Sequence, residues 1–126
     1  MCIYLIKIFR IFNNQRNIMP KLLYFNLQGR AQAIRYMLKH KGVEFEDERL
    51  TKEQWSALKE EGKYGGESAQ LPIWEVDENT HMNQSMSILK YLAHEHNCMP
   101  TTAQEMYEAE WYLAYTADAM TKPGMI

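Results

Sequence analysis

KLLYFNLQGRAQAIRYMLKHKG, residues 21–42, changes its periodicity once, and that change decides the fold. Residues 22–26 are a short apolar run ending in a turn-capable Asn with Gly29 close behind, the pattern of a buried strand that delivers the chain into a helix. Ala31, Ile34 and Leu38 then recur at steps of three and four, with Met37 beside them, and Gly42 stands where a left-handed cap would stop the helix. Beyond it Val43 and Phe45 alternate with acids, which predicts a second strand over 43–49 with one wet face. The chain therefore opens as a βαβ unit.

Local signals mark the remaining elements. Thr51-Lys-Glu-Gln54 has the form of a capping box and predicts a short helix carrying Trp55 and Leu58, broken by Gly62, Gly65 and Gly66. The polar stretch to Gln70 reads as a loop, and its Gly65-Gly66 pair predicts a mobile wall there. Residues 73–76 read as a strand, 77–80 as a turn, and His81-Met82 as a brief antiparallel return. Ser85 is expected to cap a helix running to about Glu95 with Ile88, Leu89 and Leu92 on one side. Residues 97–101, with Pro100, form a linker. Thr102-Ala-Gln-Glu105 is a second capping box, and behind it Met106, Ala109, Leu113, Ala117 and Met120 keep helical spacing for five turns. Such a stripe cannot be buried by one helix alone. The order is βαβ-α-ββα plus one long helix, an α/β fold of thioredoxin-like order.

Composition narrows the function. At 126 residues the chain accommodates one compact domain and an appendage. Its 14 Lys plus Arg against 16 Asp plus Glu lack the basic excess of a nucleic-acid footprint. Cys2 and Cys98 form neither a CxxC nor a metal-ligand spacing, which points to a reduced, cytoplasmic setting and no structural metal. His94, His96 and Cys98 stand two apart, so on a helix they diverge instead of converging on an ion. No apolar run approaches the roughly 18 residues of a membrane span. Residues 1–18 carry Lys7, Arg10 and Arg16 and no acid. They read either as a targeting presequence or, preferably, as a leader ahead of the domain proper, since the regular pattern begins only at Lys21. The expected organisation is a leader over 1–18, a domain over 19–97, and the start of a helical domain over 98–126.

Four segments in order carry a resemblance: Leu23-Tyr-Phe-Asn-Leu-Gln-Gly-Arg-Ala31, Trp55-x3-Lys59, Gln70-Leu-Pro-Ile-Trp-Glu-Val-Asp77 and Asn83-Gln-Ser-Met-Ser-Ile88. Together they resemble the glutathione transferases, closest to the sigma class, over residues 20–120. The resemblance implies a thioredoxin-like glutathione-binding domain followed by only the first helix of the family's all-α domain. It implies that Tyr24, otherwise an ordinary core aromatic, is the catalytic tyrosine. A hydroxyl donating to sulfur near a helix N-terminus would stabilise glutathione's thiolate, whose free thiol titrates near 8.5. By the same resemblance Arg30 braces the site, Trp55 and Lys59 meet the glycyl carboxylate, Gln70 belongs to the glutathione-binding set, and a cis Pro72 turns the Leu71 main chain toward the cysteinyl part. Gln84 and Ser85 would hold the γ-glutamyl carboxylate at a helix N-terminus, and Asp118 would reach the ligand's α-amino group across a homodimer.

The implied reaction is attack of the glutathione thiolate on an electrophilic small molecule, without metal or redox cofactor. The alternative is a non-catalytic glutathione-binding or dimerisation module derived from the family. A glutaredoxin-like oxidoreductase is opposed by the absence of cysteine between Asn26 and Arg30.

Overall fold

The computed structural model describes residues 18–123, and the proposed leader lies almost wholly outside them. Strand β1 (Lys21–Phe25) leads through a 3-10 turn (Gly29–Ala31) into helix α1 (Gln32–His40), followed by β2 (Glu46–Leu50) and α2 (Lys52–Glu60). A second 3-10 segment (Lys63–Ser68), β3 (Ile73–Asp77), β4 (Thr80–Asn83), α3 (Ser85–Glu95) and α4 (Ala103–Met120) complete the order. The sheet runs β2-β1-β3-β4, with β1 and β2 parallel and both other pairings antiparallel.

Alternation along β1 divides the core in two. Leu22 and Tyr24 face one side, where Ile34 and Leu38 of α1, Ile88 and Leu92 of α3 and Trp74 join them. Leu23 faces the other side with Leu50, Ile73, Ala69 and Tyr64, covered by Trp55 and Leu58 of α2. Helices thus cover both faces, as the βαβ-α-ββα order requires.

Both capping boxes form, each with the hydroxyl accepting from the N3 amide and the N3 side chain accepting from the cap amide, at Thr51/Gln54 and Thr102/Glu105. Two expectations are corrected by backbone geometry. β2 starts at Glu46, not Val43, because the Val43 amide donates to Leu38 O at 2.9 Å and Gly42, at φ 66°, donates to Lys39 O at 3.1 Å. That pair of bonds is a Schellman-type stop. Val43 and Phe45 consequently pack on the core ahead of the ladder. Ser85 is the first helical residue and not the cap of α3: the cap position is Gln84, at φ 70° with no side-chain cap bond.

The stretch after Gly62, read from its glycines as a loop, carries local structure of its own. It folds into short 3-10 turns in which Tyr64 takes a left-handed conformation (φ 57°, ψ 22°) and is buried. The Tyr64 hydroxyl donates to Glu75 Oε2, and its ring meets His81 edge-on at 5.2 Å. Burial, reinforced by the Glu75 carboxylate, pushes the Tyr64 hydroxyl well above the usual tyrosine range. α1 and α3 each bury residues in the core, whereas α4 buries none, and α2 contributes only the half-buried Trp55 and Leu58. Lys90 of α3 reaches Glu110 of α4 at 2.7 Å.

Candidate functional site

A groove of about 520 Å³ opens along one end of the sheet, within the roughly 300–1,000 Å³ usual for small-molecule clefts. Four separate pieces of chain build it. β1 and the turn behind it supply Tyr24, Phe25 and Arg30; α2 supplies Trp55; the approach to β3 supplies Ala69, Gln70, Leu71 and Pro72; the start of α3 supplies Gln84 and Ser85. Eight of the ten residues expected at the site from the sequence therefore meet in one groove. Lys59 and Asp118 do not line it. Lys59 pairs instead with Glu67 at 3.6 Å, and Asp118 sits exposed on α4. Phe25 and Ala69 line the groove although nothing in the sequence marks them: an aromatic in a strand and an alanine in a loop carry no chemical signal of their own.

Tyr24 is only 8% exposed. Its oxygen accepts a hydrogen bond from the Arg30 amide at 3.2 Å, at the very start of the 3-10 turn that precedes α1. With one lone pair engaged by that amide, the hydroxyl proton is left to donate elsewhere, and an accepted bond strengthens a hydroxyl as donor. Gly29, at φ 40°, makes the approach possible. A Cβ at this position would stand 2.6 Å from the Tyr24 oxygen and 2.6 Å from Leu27 Cδ1.

The opposite wall is built from backbone. The Leu71–Pro72 peptide is cis. Gln84 Nε2 donates to Gln70 Oε1 at 3.1 Å, tying the start of α3 to the approach of β3. Because the cap residue of α3 contributes no side-chain bond to the helix, the leading amides of α3 have no capping acceptor. They carry the positive end of the helix dipole and suit a carboxylate. Among the described residues no cluster of His, Cys, Asp and Glu is placed to hold a metal ion. No helix among them is long and apolar enough to cross a membrane.

A mixed four-stranded sheet covered by helices on both faces, with a cis-proline and a helix N-terminus at one end, defines a thioredoxin-like domain. A family model described as the glutathione S-transferase N-terminal domain matches residues 30–95, more than half of the chain. The chain belongs to the glutathione S-transferase family.

A class-mu 28 kDa glutathione S-transferase of Schistosoma japonicum is 36% identical over 102 residues, covering 78% of this chain and 48% of the relative. Hematopoietic prostaglandin D synthase of Gallus gallus is 38% identical over 90 residues, 71% of this chain and 43% of the relative. The crystal structure of a glutathione S-transferase from Ascaris lumbricoides superposes with a TM-score of 0.67 at 32% identity, covering 83% of this chain and 49% of the other. The chain spans about half the length of the curated relatives it matches. Their names cross class boundaries at similar identity, so the likeness defines the family and not the sigma class.

Proposed function

We propose that this chain binds glutathione in the groove and holds its thiol as a thiolate for attack on an electrophilic small molecule. The observation that carries the reading is the Tyr24 oxygen, fixed in the groove wall by the Arg30 amide at 3.2 Å beside the start of a helix. A phenol so placed donates more strongly to a sulfur anion than to a neutral thiol. It therefore lowers the thiol's pKa from its free value near 8.5 toward neutrality. The sulfur lone pair then forms the new C–S bond as the electrophile's leaving group departs.

In this reading the amides at the start of α3, with Ser85 and Gln84, take the γ-glutamyl carboxylate, and Gln70 supports them through its bond to Gln84. Leu71 ahead of the cis Pro72 offers its main chain to the cysteinyl residue in the manner of an added strand. Trp55 borders the glycyl end, Arg30 places a cation at the mouth, and Lys59 joins by leaving Glu67. Asp118 contributes only if a second copy pairs with the chain, which the reading includes, together with a cytoplasmic setting. The test is Tyr24→Phe with titration of the bound thiol by its ultraviolet thiolate absorbance. The midpoint is expected to rise toward that of free glutathione, with conjugation of an aryl halide slowed in step. An unchanged midpoint refutes the role.

A further inference from the structure

Among the described residues the core buries one charged side chain, and the chemistry above does not use it. Arg35 of α1 is 2% exposed. A guanidinium taken out of water is costly unless its donors are met, and here they are divided between a carboxylate on β2 and the chain just ahead of α1. Nε donates to Asp47 Oδ1 at 3.0 Å, while Nη1 donates to Leu27 O at 2.8 Å, more weakly to Gln28 O at 3.4 Å, and to Gln32 Oε1 at 3.3 Å. Nη2 has no partner among the described residues. The guanidinium carbon lies 5.9 Å from the centre of the Tyr24 ring. Asp47 is shared: its other oxygen accepts from Arg49 Nη2 at 2.9 Å and Nε at 3.2 Å, and Arg49 Nη1 donates to Asn26 Oδ1 at 3.0 Å.

The exposed turn at 26–28 is therefore gripped at both ends by two guanidiniums that share one carboxylate on β2. No residue of the turn is buried, and its other tie is the Leu27 amide, which donates to Phe25 O at 2.7 Å. Gly29 and the Arg30 amide come directly after the turn, and that amide is the group that fixes the Tyr24 oxygen.

We propose that Arg35 and Asp47 are positioning residues for Tyr24: by clamping the Leu27 and Gln28 carbonyls they aim the Arg30 amide, and hence the hydroxyl, at the sulfur. The proposal rests on the glutathione reading for its chemical consequence, but the mechanical link from Asp47 to the Arg30 amide does not depend on a ligand. Two probes separate positioning from general support. S-methylglutathione has no thiol and tests the binding walls alone, while glutathione's thiolate absorbance tests the tyrosine.

Arg35→Lys keeps the charge and loses the planar fork; Asp47→Ala removes the anchor; Asp47→Asn keeps an acceptor for Nε. In the lysine and alanine variants the thiolate fraction of bound glutathione at neutral pH is expected to fall by about fivefold, a shift of under one pKa unit. Affinity for S-methylglutathione should stay within about twofold, and Asp47→Asn should recover most of the loss, since a neutral acceptor still meets the Nε donor. Exchange of the Arg30 amide, followed by NMR, should accelerate in the same order while the β1 and β3 amides remain protected.

A thiolate titration at the wild-type midpoint in Asp47→Ala, or loss of S-methylglutathione binding in parallel with the thiolate, overturns the proposal. Should Arg35→Lys fail to fold, Asp47→Ala decides. If the wild-type chain binds no glutathione, the functional reading fails instead, and Arg30 amide exchange alone judges the clamp: an unchanged rate in Asp47→Ala refutes it.

Discussion

Gly29→Ala is the smallest change that should separate the groove's shape from its chemistry. Two costs add. Gly29 sits at φ 40°, a left-handed conformation that costs a residue with a Cβ about 1–2 kcal/mol. The new methyl would also stand 2.6 Å from Leu27 Cδ1 and from the Tyr24 oxygen. Leu27 is exposed and its side chain can rotate away. Tyr24 cannot, because its ring packs among Ala31, Ile34 and Leu38 in the core. Restoring ordinary contact requires the hydroxyl to retreat by most of an ångström, which pulls it off the Arg30 amide.

Stability should fall by about 1–3 kcal/mol, a drop in Tm of roughly 5–20 °C for a domain of this size. The chemical loss should be disproportionate, since a displacement of about 1 Å at a reacting group costs on the order of 100-fold. Calorimetry with S-methylglutathione, thiolate titration and a thermal melt read the three effects apart. A Gly29→Ala chain that melts lower yet titrates bound glutathione at the wild-type midpoint refutes the steric account, for the phenol would then have room that the geometry denies it.

Two further outcomes concern the scaffold. Tyr64→Phe removes a buried hydroxyl's bond to the Glu75 carboxylate and should cost about 1.5–3 kcal/mol in urea melts at neutral pH. Because the folded Tyr64 pKa is raised, its contribution is fully present below the unfolded value near 10 and is lost as pH rises beyond it, so the gap between wild type and variant should narrow in alkali. At the other end of the scale, Glu105 accepts from the Thr101 and Thr102 amides at 2.8 and 3.2 Å, which holds its carboxyl below the ordinary value of 4.5. A lowered folded pKa gives stability that is present above 4.5 and lost as pH falls through the folded value. The first turn of α4 should therefore fray on acidification, with the Thr101 and Thr102 amides exchanging faster by NMR while the sheet stays protected.

The features legible in the sequence are short-range. Both capping boxes are pairs three residues apart whose partners are fixed by helix geometry alone, and both form. The two-residue alternation that separates Leu22 and Tyr24 from Leu23 is equally readable. The failures share the opposite property. Val43 reads as strand because its pattern alternates, but its amide is already claimed by Leu38 O. Tyr64 is hidden in a glycine-rich stretch because a non-glycine residue in the left-handed region is rare and no local signal announces one. Arg35 carries no local signal at all; that it is buried depends on Asp47, twelve residues on, and on the carbonyls of Leu27 and Gln28 behind it.

The same division runs through the candidate site. The residues proposed to touch glutathione sit at chain features with their own signatures: a strand end before a glycine, a proline at a strand start, a serine at a helix start. The groups proposed to aim them do not, because a positioning contact is defined by where its partners fold and not by what precedes it in the chain. Tyr24 illustrates why the distinction matters chemically. Its identity supplies a proton donor, but the direction of that donor is set by the Arg30 amide, whose place depends on a turn fastened from β2 through Asp47 and Arg35. In the proposed reading, holding glutathione and ionising its thiol therefore rest on different parts of the fold, and perturbations on the β2 side should reach the second while sparing the first.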